Sequence, residues 1–300
     1  MEFYSHGKLL LTAEYAVLEG VKALAVPTKR GQLLRVEHST DRTIKWQSFT
    51  VEGKLWIDCV FDFKFKCLSA NTSSSGVIDQ LGTILKTLNR LSPNYFAEGI
   101  TITTELEFPR DWGLGSSSTL INNLAQWLDI NPYQLLEETM GGSGYDIAAA
   151  QSDSALFYTR NNYEPTLAPV SFSPHFKDNL FFVHLKQKQN SRTAIAGFKS
   201  RKEISAETKD RLEEIGGLLL ITEEQSNFNA LLKEHEEITA AFLGQTTVQE
   251  RLFPDFKGQL KSLGAWGGDF ILASGDESTI DYFLQKGYPT IFRYSDFILG

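Results

Sequence analysis

The sequence predicts an α+β fold in two domains, residues 1–165 and 166–300, and three observations carry that prediction. Segments rich in β-branched and aromatic residues with rough alternation crowd residues 2–67, the pattern of a half-buried sheet. Apolar residues then recur at helical spacing in segments entered from glycine-rich turns. Pro165, Pro169 and Pro174 next mark a connection. Beyond it the order reads strand, helices, strand, helix, strand, which suits a split βαβ, ferredoxin-like layer.

Taken in order, residues 2–12 and 22–37 read as strands, with a turn at Glu19-Gly20, and residues 44–67 as further strands. Asn71 to Gly76 is a polar loop. Val77, Ile78, Leu81, Ile84, Leu85, Leu88 and Leu91 share one helical face, and Ser92-Pro93 ends that helix. Ile100 to Leu106 alternates as a strand. A glycine turn then feeds a helix whose apolar face is Leu120, Ile121, Leu124, Trp127 and Leu128. Asn131, Pro132 and Gln134 have the form of an N-cap, a first-turn proline and a capping-box partner. Another glycine-rich turn, GGSGYD, follows, then a strand over Ala155 to Thr159. In the second half the strands are Leu180–Leu185, Asp269–Ser274 and Thr290–Tyr294, with helices over roughly 193–243 and over Glu277–Lys286.

Composition narrows the function. The chain has 300 residues and is 42% hydrophobic, enough for a real core. A net charge of −8 argues against nucleic-acid binding, which calls for a basic surface. Cys59 and Cys67 are too few for a disulfide framework and too isolated for a zinc site, and the five histidines form no metal pattern. The opening residues lack a basic n-region, Glu14 interrupts their apolar run, and no stretch nears the roughly 20 apolar residues of a membrane span. The expectation is a cytoplasmic protein with no membrane partner.

GLGSSS, residues 113–118, is the most informative stretch. Small residues at a helix start present unpaired N–H groups and the positive end of the helix dipole, which together favour a phosphate. Gly113 and Gly115 let the backbone approach the anion, and the hydroxyls of Ser116, Ser117 and Ser118 add donors or an oxygen ligand for magnesium. By themselves these residues are equally a helix N-cap after a glycine turn. The chain has no G-x-x-x-x-G-K-[ST] and lacks the third glycine of a dinucleotide fingerprint.

Two further stretches accompany this loop. HGKLLLTAEYAVLEG opens the chain, and LKSLGAWGGDFIL lies near its end. Together the three resemble the motifs of the GHMP kinases, the family of galactokinase, homoserine kinase, mevalonate kinase and phosphomevalonate kinase. The first motif resembles Gly7-Lys8 with Glu14-Tyr15, the second Pro109 to Ser118, and the third Lys261 to Asp269, with Gly264, Ala265, Gly267 and Gly268 as its loop. They stand in the family's order and span nearly the whole chain; the detail of the first motif and of Gly-Gly-Asp is nearer to the mevalonate and phosphomevalonate branch.

The resemblance implies an N-terminal ribosomal-protein-like βαβ domain that binds ATP and a C-terminal ferredoxin-like domain. It implies a kinase using ATP and Mg2+, with Gly113, Leu114, Gly115, Ser116, Ser117 and Ser118 on the nucleotide phosphates and a small, anionic acceptor of the mevalonate or phosphomevalonate kind. Asp146, in GSGYDIAAA, matches the family's carboxylate near the transferred group. A carboxylate there accepts or orients the acceptor's proton, and Lys8 keeps it ionised and neutralises charge on the γ-phosphate. The plain alternative for Asp146 is a helix cap. The resemblance assigns magnesium to Ser117 and to a glutamate, Glu138 or else Glu137, whose spacing to Asp146 differs from that of mevalonate kinase. It assigns acceptor contacts to Glu14, Ser143 and Gly144. KQKQNSRT resembles a substrate-approaching segment that offers Lys188, Ser191 and Arg192 to an anion, or is a solvated loop.

The pattern also departs from the family. His6 stands for proline, Ala13 for glycine, Ser118 for alanine and Trp266 for glycine. An indole at 266 either narrows the nucleotide side or packs against it. Two rivals follow. One is another enzyme on the same fold, a sugar kinase or a diphosphomevalonate decarboxylase; the other is a non-catalytic nucleotide-binding regulatory protein, with Trp266 as its support. Oligomeric state, a homodimer included, is left open.

Overall fold

The structure, a computed structural model, describes residues 1–71, 75–93, 95–187, 198, 203–266 and 268–300. It divides into two compact units that interleave in sequence. The first comprises Met1–Gly7, Arg30–Arg110 and Gly115–Gln151; the second comprises Lys8–Lys29, Asp111–Leu114 and Ser152–Gly300. Strands β1 (Glu2–Leu10) and β2 (Ala23–Ser39) each pass from one unit into the other, so no single cut of the chain separates them. The boundary expected at residue 165 falls inside a hairpin, because β7 (Leu156–Thr159) pairs with β8 (Thr166–Pro169). Pro165 precedes β8 and Pro169 is its last residue; proline is tolerated on an edge strand, so neither prevents this short strand.

In the first unit β3 (Ile44–Phe49), β4 (Leu55–Phe61), β5 (Cys67–Ala70) and β6 (Gly99–Leu106) join β2 in the order β5-β4-β3-β6-β2. All neighbours are antiparallel except β3 and β6, which are parallel. Alternation works as the sequence indicates: Ile100, Ile102, Thr104 and Leu106 of β6 are buried while the residues between them are half-buried. Helix α1 (Ser75–Leu91) supplies Ile78, Leu81, Ile84, Leu85 and Leu88 to a core shared with Trp46, Cys59 and Phe61. Helices α2 (Ser116–Leu128), α3 (Pro132–Thr139) and α4 (Tyr145–Ala150) complete this unit, α2 packing on both α3 and α4. Asn131 caps α3 as expected, its side chain accepting from the N–H groups of Tyr133 and Gln134. The Gln134 amide donates along the helix to Glu138. Cys59 and Cys67 are free thiols, and burial pushes Cys59 up to about 12.

In the second unit the opening of β2 pairs with β7. A separate antiparallel sheet has the order β10-β11-β9-β12, formed by β9 (Leu180–His184), β10 (Gln259–Ser262), β11 (Phe270–Ser274) and β12 (Ile291–Arg293). Its first and third strands are central and its second and fourth lie at the edges, the arrangement of a split βαβ layer. The sequence predicts helices over roughly 193–243; the described part of that stretch holds α5 (Ala206–Ile221) and α6 (Gln225–Leu243). Helix α7 (Val248–Leu252), with a Thr247–Glu250 capping box, and strand β10 are too short to establish a period in the sequence. Helices α8 (Ser278–Gln285) and α9 (Tyr294–Phe297) follow. Among the described residues no helix is long and apolar enough to cross a membrane.

Candidate active site

The glycine-serine loop lies where the chain passes from one unit to the other, between Leu114 and Gly115. Gly115 is left-handed at φ 86° and is the N-cap of α2, with no side-chain hydrogen bond closing that end. Its carbonyl accepts from the N–H groups of Ser118 and Thr119 at 2.9 Å each. Ser116 and Ser117 therefore stand on an opening turn that no side chain caps, and Ser117 is exposed. Leu114 is buried.

Helix α2 is seated by more than its apolar face. Thr119, Asn122 and Asn123 are buried along with Ile121, Leu124 and Trp127. Thr119 donates to the Gln32 side chain at 2.6 Å, Asn123 to the Gln32 carbonyl at 2.9 Å, and Ser5 to Asn123 at 2.7 Å. Asn122 donates to Ser5 at 2.9 Å and accepts from Gln151 at 2.6 Å. This neutral network fixes the helix whose N-terminus carries the serines. Nearby in sequence, the Arg110 guanidinium lies 3.5 Å over the Trp56 ring.

Asp146 stands in the first turn of α4, whose N-cap Gly144 has φ 88°, and α4 packs on α2 within the same unit. Ser143 is buried just ahead of it. Glu138 carries two partners already: Arg90 pairs with Oε2, and the Gln134 amide donates to Oε1 at 3.0 Å. Both Glu138 oxygens thus have a side-chain partner within their own unit. The exposed Ser117 hydroxyl does offer a hard oxygen. Among the described residues no group of three His, Cys, Asp or Glu side chains is placed to hold a metal ion.

The second unit holds the other half of the loop. Lys8 is buried; its backbone N–H donates to the Leu114 carbonyl at 3.1 Å and its ammonium to the Gly113 carbonyl at 3.0 Å. Gly113, at φ 67°, lies so close to Asp269 that a Cβ would come within 2.2 Å of Oδ2. Trp112 anchors the same stretch against His184, Phe270 and Phe292.

Glu14, expected at the acceptor, is instead wholly buried. Its Oε1 accepts from the Lys261 ammonium at 2.5 Å, and Lys261 is buried too. The reason is local: Ala13 and Tyr15 both adopt left-handed backbone, φ 60° and 63°, and this turns Glu14 inward. The Ala13 N–H donates to His235 Nε2 at 2.8 Å, and the Tyr15 hydroxyl donates to the Ala265 carbonyl at 2.8 Å. Glu236 lies 3.6 Å from Lys261 and accepts from the Ser262 hydroxyl at 3.0 Å and the Trp266 indole at 3.1 Å. Burial, opposed by Lys261, raises both carboxyl groups, Glu236 to about 7. Burial and the neighbouring Lys261 hold His235 well below its ordinary value, so it stays neutral.

Trp266 is 4% exposed and bonded inward, so it packs within its own unit. Lys261 belongs to the third motif, whereas Glu236 and His235 lie in an amphipathic helix and carry no local signal. Gly264 and Ala265 stand in the loop as expected, at φ 66° for Gly264. Gly267, Lys188, Ser191 and Arg192 lie outside the described residues.

No family model matches the chain, and no curated protein sequence does. Solved structures do. Mevalonate kinase of Methanococcus jannaschii is 16% identical, with 97% of this chain and 96% of that one covered at a TM-score of 0.69. Phosphomevalonate kinase of Streptococcus pneumoniae, in complex with phosphomevalonate and AMPPNP, is 15% identical over 99% and 96% of the two chains, TM-score 0.67. Galactokinase of Lactococcus lactis, complexed with galactose, is 13% identical over 99% and 92%, TM-score 0.70. The chain has the fold common to these kinases from end to end, the one its three motifs anticipate.

Proposed function

We propose that this chain, with the fold of the GHMP kinases, is an ATP-dependent small-molecule kinase that transfers the γ-phosphoryl group to a small, anionic acceptor. The observation that carries the reading is the start of α2. There a left-handed glycine and three serines open a thirteen-residue helix with no side-chain cap, the local chemistry that receives a phosphate. The backbone of residues 113–118 would cradle the nucleotide phosphates. Asp146 would orient the acceptor oxygen for in-line attack on the γ-phosphorus and take its proton as ADP leaves. Lys8, bonded to the Gly113 carbonyl, would set the loop's shape and place positive charge beside it. The Ser117 hydroxyl would offer a protein oxygen to a magnesium ion bound with ATP, and the ion would supply charge neutralisation at the phosphates. Glu14, being buried, would stand outside the acceptor site, and Lys188, Ser191 and Arg192 would supply anion contacts.

The test is ADP release from magnesium ATP against mevalonate, phosphomevalonate, homoserine and galactose. One acceptor should turn over, and Asp146→Ala and Lys8→Ala should each lower kcat by about 10²-fold or more. Turnover of galactose alone would replace the anionic acceptor with a sugar. ATP binding without turnover of any acceptor would favour a nucleotide-binding regulatory role, and failure to bind ATP would end the kinase reading.

A further inference from the structure

Of the seven described non-glycine residues with left-handed backbone, three, Ala13, Tyr15 and Trp266, are tied to one buried cluster. A bulky residue in this conformation is strained and persists only where its surroundings over-determine it. The surroundings here do so. Trp266, at φ 56°, donates its indole N–H to Glu236; Ser262, beside Lys261, donates to the other oxygen of Glu236; Lys261 donates to Glu14; and Tyr15 holds the Ala265 carbonyl. The stretch 263–266 is thus gripped from inside by side chains of α6, β10 and the Ala13–Tyr15 turn.

That stretch leads to the phosphate loop. The Asp269 carboxylate lies against Gly264, where a Cβ would be 3.8 Å from Oδ2, and against Gly113, where it would be 2.2 Å away. The Gly113 carbonyl in turn receives the Lys8 ammonium. No side chain fits between Asp269 and Gly113, so a displacement of 263–266 that pressed Asp269 toward Gly113 would move the backbone of residues 111–114.

We infer that Trp266 and Glu236 are positioning residues: their buried hydrogen bond latches the stretch 263–266 and, through Asp269, sets the backbone of Gly113. At a position where the family resemblance expects a flexible glycine, this chain substitutes a strained tryptophan held by a carboxylate. The consequence for nucleotide binding rests on the kinase reading; the latch itself does not.

The experiment is amide hydrogen exchange on the full, ATP-free chain, with Trp266→Phe, Glu236→Ala and Glu236→Gln beside the wild type. Trp266→Phe removes the indole donor, Glu236→Ala removes the acceptor of both the indole and the Ser262 hydroxyl together with a charge beside Lys261, and Glu236→Gln keeps an acceptor for the indole. The first two should speed exchange in peptides covering 259–266 and 111–115 by roughly 10- to 100-fold, the equivalent of one buried hydrogen bond, while Glu236→Gln stays near wild type. Acceleration spread evenly over the chain would mean a merely structural role and overturn the inference. So would acceleration at 259–266 that leaves 111–115 untouched, or an equal effect of Glu236→Gln and Glu236→Ala. ATP titration of the same proteins separates the two readings. A wild type that fails to bind ATP sinks the kinase reading and leaves the exchange data to decide the latch. A wild type that binds, with Trp266→Phe about tenfold weaker and Glu236→Gln unchanged, supports both.

Discussion

Two buried polar networks, one in each compact unit, invite comparison. Around α2 the groups are neutral amides and hydroxyls, and Ser5, Gln32, Thr119, Asn122, Asn123 and Gln151 satisfy one another. Around β10 the groups are charged, and two carboxyls, Glu14 and Glu236, share one ammonium, Lys261. His235 cannot make up the difference, because its Nε2 already accepts from Ala13. The neutral network therefore has no dependence on pH, whereas the charged one carries one carboxyl in excess of its cation and must answer to protons. Both hold glycine-rich backbone in place, by different means. Amide networks give direction at modest desolvation cost; a buried ion cluster gives rigidity at the risk of an uncompensated charge.

The largest break in the comparison should come from Lys261→Ala. It strands two buried carboxyls and should cost about 3–5 kcal/mol in urea unfolding. Adding Glu14→Gln should recover part of that loss, a coupling that a double-mutant cycle would read directly.

A smaller effect, but a sharper one, concerns pH. Glu236 is raised from 4.5 to about 7 in the folded chain. Between those values the native state holds a proton that the unfolded state has released. This contribution to stability is therefore complete below pH 4.5 and is lost as pH rises to about 7, a change on the order of 3 kcal/mol at most. Glu14, also raised by burial, acts with the same sign. Unfolding free energies at pH 5 and pH 7.5 should differ more in wild type than in Glu236→Gln; equal differences would show that Glu236 does not hold the proton.

The smallest expected change is in the neutral network. Asn123→Ala leaves the Ser5 hydroxyl and the Gln32 carbonyl short of a partner and should cost about 1–3 kcal/mol, by the same amount at both pH values. A marked pH dependence there would erase the contrast.

Much of this molecule was legible from local signals. The strand alternation of β6, the helical face of α1, the Asn131 cap and the glycine-serine entry to α2 all depend on neighbours a few residues apart, and each stands where the sequence placed it. The three motifs, in order, also anticipated the fold that the kinases of known structure share with this chain. Glu14 shows where such reading stops. Its place in the first motif suggested an acceptor contact, yet its partner Lys261 is 247 residues away. Glu236 and Trp266 are 30 residues apart, joined by a hydrogen bond that no period or spacing announces.

By itself, then, the sequence determined the α+β class, the elements with a clear period and the glycine-serine entry to α2, because these follow from steric and hydrogen-bonding preferences within a few residues. Only the tertiary structure decided that Glu14 turns inward and that the Trp266 indole is buried against Glu236. It also decided that Glu138 is committed to Arg90 and Gln134. Those outcomes depend on which distant groups share a desolvated space, where a charge must find its counter-charge or take up a proton, and folding alone brings such groups together.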